Sequence, residues 1–285
     1  MQYLKTAKET FKELKGNLVL LLPTIAIFFM GLFFTIAFLY INGLLPSVLE
    51  DISILFSSDI GTGAGEIINR FLGDTLVLKT IASFILFFST NFLVGSSLLS
   101  VKFSMMKDIV EGRKTNLKKG FVGATKNYFR VIGMRILVYL IYAVLAIIFS
   151  SYLLFVKGIN ESNLPLIIFL IGFSIFVVKI ILLFRYPIMF IDNLKPIKAV
   201  RKTFSYFLER KRRVLIVWFI IFIIASIASL TAFILGRITS IFGGLLFSSF
   251  IVLLISSFFK IIIDLVIDVW GDLYIFTVYK KTKEK

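Results

Sequence analysis

Residues 17–41 read NLVLLLPTIAIFFMGLFFTIAFLYI, a run of 25 positions without a charge. A helix crossing the hydrocarbon core of a bilayer needs about 20 such residues. Five further stretches are nearly as apolar: 80–101, 131–156, 164–184, 214–235 and one within 241–279. As one helix the last would reach roughly 55–60 Å. It must therefore tilt, bend or carry an interfacial extension. The expected fold is an all-α membrane protein of the cell membrane, multi-pass, with six transmembrane helices. Residues 1–285 are read as a single polytopic membrane domain.

The composition agrees. Of 285 residues, 59% are hydrophobic and only 17% charged, and 33 are Phe; a soluble domain is about 45–50% apolar. There is no His and no Cys. Disulfides, thiol nucleophiles, imidazole bases and the usual Cys/His zinc sites are excluded. No cofactor, no metal and no enzymatic activity are expected. The first apolar run exceeds the 7–15 residues of a signal-peptide core, and no small-x-small site follows Tyr40-Ile41-Asn42-Gly43. It is read as a retained span.

Lys and Arg in short loops set orientation. Residues 1–16, 102–130, 185–213 and 280–285 carry four, eight, nine and four basic groups. The alternating segments 42–79, 157–163 and 236–240 carry two, one and one. That division, 25 against four, predicts cytoplasmic N and C termini. The net charge of +16 then belongs to the inner membrane face, where each basic group near anionic lipid is worth about 1 kcal/mol. The expected partners are an anionic inner leaflet and a protein partner, and not nucleic acid.

The spans group into hairpins at about 1–101, 102–184 and 185–285, each opening on a basic amphipathic segment. These read Ala7-Lys8-Glu9-Thr10-Phe11, Ala124-Thr125-Lys126-Asn127-Tyr128-Phe129 and Ala199-Val200-Arg201-Lys202-Thr203-Phe204. Either the three are parallel repeats, or each has the composition any interfacial helix acquires, because Lys snorkels and Phe enters the acyl boundary. In the third, Pro187 stops the fourth span and Pro196 suits the first turn of a new helix. Ile197, Val200, Phe204, Phe207 and Leu208 then share one face. This predicts a helix lying in the membrane plane and closing at Arg210-Lys211-Arg212-Arg213.

Arg185-Tyr186, Asp192, Pro196, Ala199 and Thr203 together resemble a signature of a broad group of six-helix membrane proteins. The group includes the membrane domain attached to some glycerophosphoryl diester phosphodiesterases and related uncharacterised bacterial and archaeal proteins. In that pattern an Arg-Tyr ends a span, an Asp follows, and a Pro-x-x-Ala helix leads to a Ser, here Thr203. The resemblance implies the six-helix plan and carries no shared activity. Phosphodiesterase chemistry needs an acid–base His pair, which a chain without His lacks.

An ionisable residue within a span costs about 2.5–3.5 kcal/mol on insertion scales and calls for a partner or a role. Arg135 and Lys179 sit near the cytoplasmic ends of spans three and four. Lys260, Asp264, Asp268 and Asp272 follow at spacings of four, a stripe that winds about 40° per step. The six residues are expected to form an inner-leaflet charge cluster, with Arg135 and Lys179 meeting Asp264 and Asp268. Two registers stay open for the sixth span. With the span at 241–260, the Asp residues lie in a cytoplasmic extension; with it at 256–276, Asp264 is near mid-membrane.

Small residues at Gly95, Ser96, Ser100 and Ser104, at Ala225 and Ser229, and at Ser248, Ser249, Ser256 and Ser257 are expected to let helices approach closely. Pro23 is expected to kink the first span. In the outer loop, Leu44–Phe56 and Ile67–Leu78 read as short surface helices around a flexible Gly61–Gly65. That glycine run lacks the Lys-Ser/Thr ending of a phosphate loop.

Three function classes survive. A non-enzymatic accessory or scaffold protein leads, a transporter or lipid-handling permease follows, and a membrane enzyme comes last. An aqueous cavity reaching the acidic stripe favours transport. A dry, fully paired cluster favours the scaffold.

Overall fold

Nine α-helices account for almost all of the residues that the computed structural model describes, namely 2–43, 74–157, 164–246 and 249–284; side chains are described within 3–43, 80–151, 168–238 and 257–284. They are α1 (Gln2–Gly16), α2 (Leu21–Ile41), α3 (Asp74–Val110), α4 (Leu117–Lys157), α5 (Leu164–Ile181), α6 (Arg185–Ile191), α7 (Pro196–Glu209), α8 (Lys211–Leu246) and α9 (Ser249–Lys283). A single 3-10 turn, Leu18–Leu20, joins α1 to α2. No strand occurs among the described residues.

Among the described residues five helices are long and apolar enough to cross a bilayer: Leu18–Ile41, Thr80–Val110, Leu117–Ser151, Ile168–Ile191 and Lys211–Ile238. The chain is thus a multi-pass, all-helical membrane protein. The sixth expected span falls on α9, a continuous helix of 35 residues whose first side chains lie outside the described residues. Residues 241–246, where one of the two registers starts that span, instead finish α8.

Residues 102–130, read as the basic segment between the second and third spans, are largely helical. The helix α3 continues to Val110 and α4 begins at Leu117, so the connection is only six residues. Capping, not charge, ends α3. Gly112 has φ +75°, its N–H donates to Ile109 O (2.9 Å), and the Arg113 N–H reaches Asp108 O (2.8 Å). This is a Schellman close, which a glycine in the left-handed region makes at little cost. Pro23, expected to kink the first span, lies just after the 3-10 turn that leads into that helix. It sits in the first turn of α2, where no intrahelical partner is lost. The expected outer helices and the glycine run lie outside the described residues, apart from 74–78, which belong to α3.

The chain forms two compact units, Met1–Thr24 with Leu99–Lys285, and Ile25–Leu98. In the smaller one, Phe38 packs on Phe84 and Phe87 (centroids 6.3 and 6.4 Å). Asn42 Oδ1 there accepts from Thr80 and Ser83, both at 3.1 Å.

In the larger unit, buried residues gather along α1, α6 and α7 and the stretches of α3, α4, α5, α8 and α9 packed with them. Farther along, Ile147, Phe169, Phe233 and Phe258 point outward, as lipid-facing side chains must. On α1, Ala7, Thr10 and Leu14 are buried while Leu4 and Phe11 are exposed. The α1 backbone is gripped by α9: Trp270 Nε1 donates to Ala7 O and Tyr274 Oη to Tyr3 O, each at 3.3 Å.

Pro196 opens α7 from an extended Lys195. Its apolar stripe is divided: Ile197 is 73% and Phe204 49% exposed, while Val200 and Phe207 pack against the core and Ala199, Thr203 and Tyr206 are buried. All three alanines of the basic segments, Ala7, Ala124 and Ala199, are buried; their phenylalanines, Phe11, Phe129 and Phe204, are exposed. Two glycines let helices touch. A Cβ on Gly133 would stand 2.9 Å from Pro196 Cγ, and one on Gly123 2.9 Å from Ser104 Cβ.

Candidate functional site

Between residues 80 and 106 the only charge is Lys102. An ammonium in so apolar a helix must find carboxylates. Lys102 Nζ lies 2.6 Å from Asp268 Oδ2 and 2.7 Å from Asp272 Oδ2, and its side chain is only 2% exposed. The two aspartates are one helical turn apart on α9, so a single ammonium bridges both. Their side chains are 57% and 29% exposed. The pair is therefore sealed on the lysine side and open on the aspartate side.

The opening is a cavity of about 600 Å³, within the size range of small-molecule sites. Arg135 on α4, Lys179 on α5, Arg185 on α6 and Lys102 on α3 line it, opposite Asp268 and Asp272. Four cations and two carboxylates thus converge among apolar helices. Aromatic stacking fixes one wall. The Phe103 ring stacks on Tyr186 (4.2 Å) and on Phe276 (5.7 Å). The Arg185 guanidinium lies 4.8 Å above the Tyr186 ring, donates to Leu182 O at 3.2 Å, and keeps its buried Nε without a hydrogen-bond partner among the described residues.

The structure therefore gathers four of the six expected cluster residues: Arg135, Lys179, Asp268 and Asp272. Lys260 and Asp264 lie elsewhere. Asp264 is exposed on α9. Lys260 lines a separate pocket between α8 and α9. Lys102 is the residue the sequence reading missed, having been counted among loop charges. Its signal was present: a lone Lys with helical apolar neighbours Val101, Phe103, Met105 and Met106, all fully buried.

The family-like residues divide in two. Arg185 and Tyr186 line the cavity. Asp192, Pro196, Ala199 and Thr203 build the α6–α7 corner beside it. Asp192 accepts from Lys202 Nζ (2.6 Å), Lys283 Nζ (2.8 Å) and Tyr279 Oη (2.5 Å). Burial opposes its charge, but these three donors outweigh burial and hold the carboxyl below its ordinary value. Asn193 takes a left-handed φ of 54° to turn the corner, a conformation Asn tolerates, and its side chain accepts from Arg130. Thr203 Oγ1 donates to Ala199 O (2.7 Å) and is spent within its own helix.

Among the described residues no group of three or more His, Cys, Asp or Glu could hold a metal ion. Asp268, Asp272 and Asp192 are committed to lysines. The arrangement suits recognition of a charged group. No family model, curated protein or solved structure matches the chain.

Proposed function

We propose that this chain is a non-enzymatic membrane protein, with six spans and both termini cytoplasmic, that binds phospholipid headgroups in the mixed-charge cavity. The observation that carries the reading is the convergence of Lys102, Arg135, Lys179 and Arg185 on one cavity with Asp268 and Asp272. Charge of both signs in an apolar bundle is costly unless used. A purely structural pair would need one lysine and one acid, and would be dry. Here the carboxylates stay accessible, and guanidinium groups match phosphate oxygens in shape and charge. Lipid handling, the second expectation from sequence, thus overtakes the accessory or scaffold role.

One observation still favours the scaffold. The Asp192 corner and the α1–α9 clamp are tied by cross-helix ion pairs and hydrogen bonds, as a rigid docking platform requires. Mass spectrometry of the protein in native-lipid discs separates the two. Retention of one or more phospholipids per chain, lost together with Arg135→Met and Lys179→Met, supports headgroup binding. A stoichiometric protein partner with no retained lipid would make the chain an accessory subunit.

A further inference from the structure

All four cations of the cavity belong to stretches long and apolar enough to cross a bilayer: Lys102 to Thr80–Val110, Arg135 to Leu117–Ser151, and Lys179 and Arg185 to Ile168–Ile191. Their helices turn them toward the cavity. Arg135 lines it together with Tyr139 and Tyr142, the i, i+4, i+7 pattern of one helix face. On α5, Lys179 stands one turn after Ile175 and one turn before Leu183, which line the same wall. Arg185 is held in place by the Tyr186 ring, 4.8 Å from its guanidinium.

The charges do not cancel. Lys102 is spent on Asp268 and Asp272, and this triad carries one net negative charge. Arg135, Lys179 and Arg185 add three positive charges, and no further carboxylate lines the cavity among the described residues. Two positive charges are left over. In apolar surroundings, charge without a counter-charge is costly. A ligand with two negative charges and several acceptor oxygens balances it. A phosphodiester has a single negative charge shared by its free oxygens. A phosphomonoester carries about −1.5 to −2 at neutral pH on three terminal oxygens. That supplies one oxygen for each cation outside the triad, and guanidinium forks suit such a group.

We infer that the cavity selects a terminal, dianionic phosphate group, carried by a phosphomonoester lipid such as phosphatidate or present as free inorganic phosphate, over a phosphodiester. Arg135, Lys179 and Arg185 take the phosphate oxygens. Asp268 and Asp272 do not touch the ligand. They hold Lys102 and set the residual charge that the ligand must match. This inference rests on the headgroup-binding reading above and adds the class of phosphate to it.

The test is native mass spectrometry of the full chain, released from detergent micelles that hold equal amounts of phosphatidate and phosphatidylglycerol with the same acyl chains. One phosphatidate per chain is expected, preferred over phosphatidylglycerol about tenfold or more, the worth of one added charge-assisted bond. Lys179→Met removes one positive charge from the cavity and is expected to cut that preference about fivefold or more. Lys179→Arg keeps the charge and is expected to preserve it. Lys198→Met removes the same charge from an exposed position on α7, outside the cavity, and is expected to leave the preference unchanged. Asp268→Asn leaves Asp272 on Lys102 and makes the cavity more positive, so it is expected to hold phosphatidate at least as well as the wild type. Equal retention of the two lipids overturns the phosphomonoester class and leaves headgroup binding standing. An equal loss of preference in Lys198→Met and Lys179→Met assigns it to the basic surface as a whole and overturns selection by the cavity. Loss of phosphatidate in Asp268→Asn overturns the charge argument. Inorganic phosphate, added to the same micelles and retained in place of any phospholipid, supports the phosphate class and overturns the headgroup reading beneath it. Retention of neither overturns both.

Discussion

Replacing Lys102 by Met keeps an unbranched side chain of similar length and removes the ammonium. Two charge-assisted bonds, at 2.6 and 2.7 Å, disappear. Such a bond contributes about 1.5–3 kcal/mol. The Asp268 side chain is more than half exposed, so its share is screened and falls at or below the low end. Asp272 is mostly covered and is left as a carboxylate beside a second carboxylate one turn away. Breaking a buried pair from one side costs about 3–5 kcal/mol; exposure of Asp268 puts the expected loss at about 3 kcal/mol. The chain has two tryptophans, and Trp270 lies between the two aspartates on α9. In a Trp218→Phe background its fluorescence follows unfolding in mixed detergent micelles directly. Lys102→Met should lose about 3 kcal/mol, and adding Asp272→Leu should return at least half of it, since the orphaned charge goes too. A loss under about 1 kcal/mol for the single change refutes the reasoning. So does a double variant as unstable as the two single losses combined.

Asp192→Asn should loosen the α6–α7 corner and cost about 2 kcal/mol, because three donors lose a charged acceptor. Because the folded carboxyl is held below its ordinary value, its contribution is present above about pH 4 and fades as pH falls through the lowered value. The variant's stability should therefore lack that acidic drop, as pH-dependent unfolding will show. Gly123→Ala drives a methyl to 2.9 Å from Ser104 Cβ, which no side-chain rotation relieves. It should cost about 1–3 kcal/mol in the same unfolding assay, and Gly133→Ala against Pro196 should behave alike. Since the native chain has no Cys, single cysteines report sidedness cleanly. Lys8→Cys and Lys118→Cys should label only from the cytoplasmic side and Tyr40→Cys only from the opposite side. Any of the three labelling from the wrong side breaks the topology.

The spans were legible because hydrocarbon imposes one rule everywhere along them: no charge, apolar residues all round. Helix ends were less so. Gly112 closes α3 through backbone bonds that no charge count registers, and counting Lys102 as a loop residue hid the centre of the site. The stripe on α9 was visible as a spacing of four. Which of its members would meet a cation was not, because that depends on where α3 crosses α9, a relation between residues 166 positions apart. The α7 helix was read correctly as apolar on one face. That its inward face would be the small one, Ala199 and Thr203, could not come from hydrophobicity alone.

The α1–α9 clamp places a demand on biosynthesis. The groups that receive the backbone of residues 3–7 are Trp270 and Tyr274, 263 and 271 positions later in the chain than their acceptors. At roughly 5–20 residues per second, α1 waits about 15–55 s for its partner. Through that interval its buried face, Ala7, Thr10 and Leu14, has no protein to cover it. An anionic leaflet on that side would attract the four lysines of α1 meanwhile. The charge on this helix would then serve the nascent chain first, as a tether that keeps the clamp's first half in the plane where the second half will arrive.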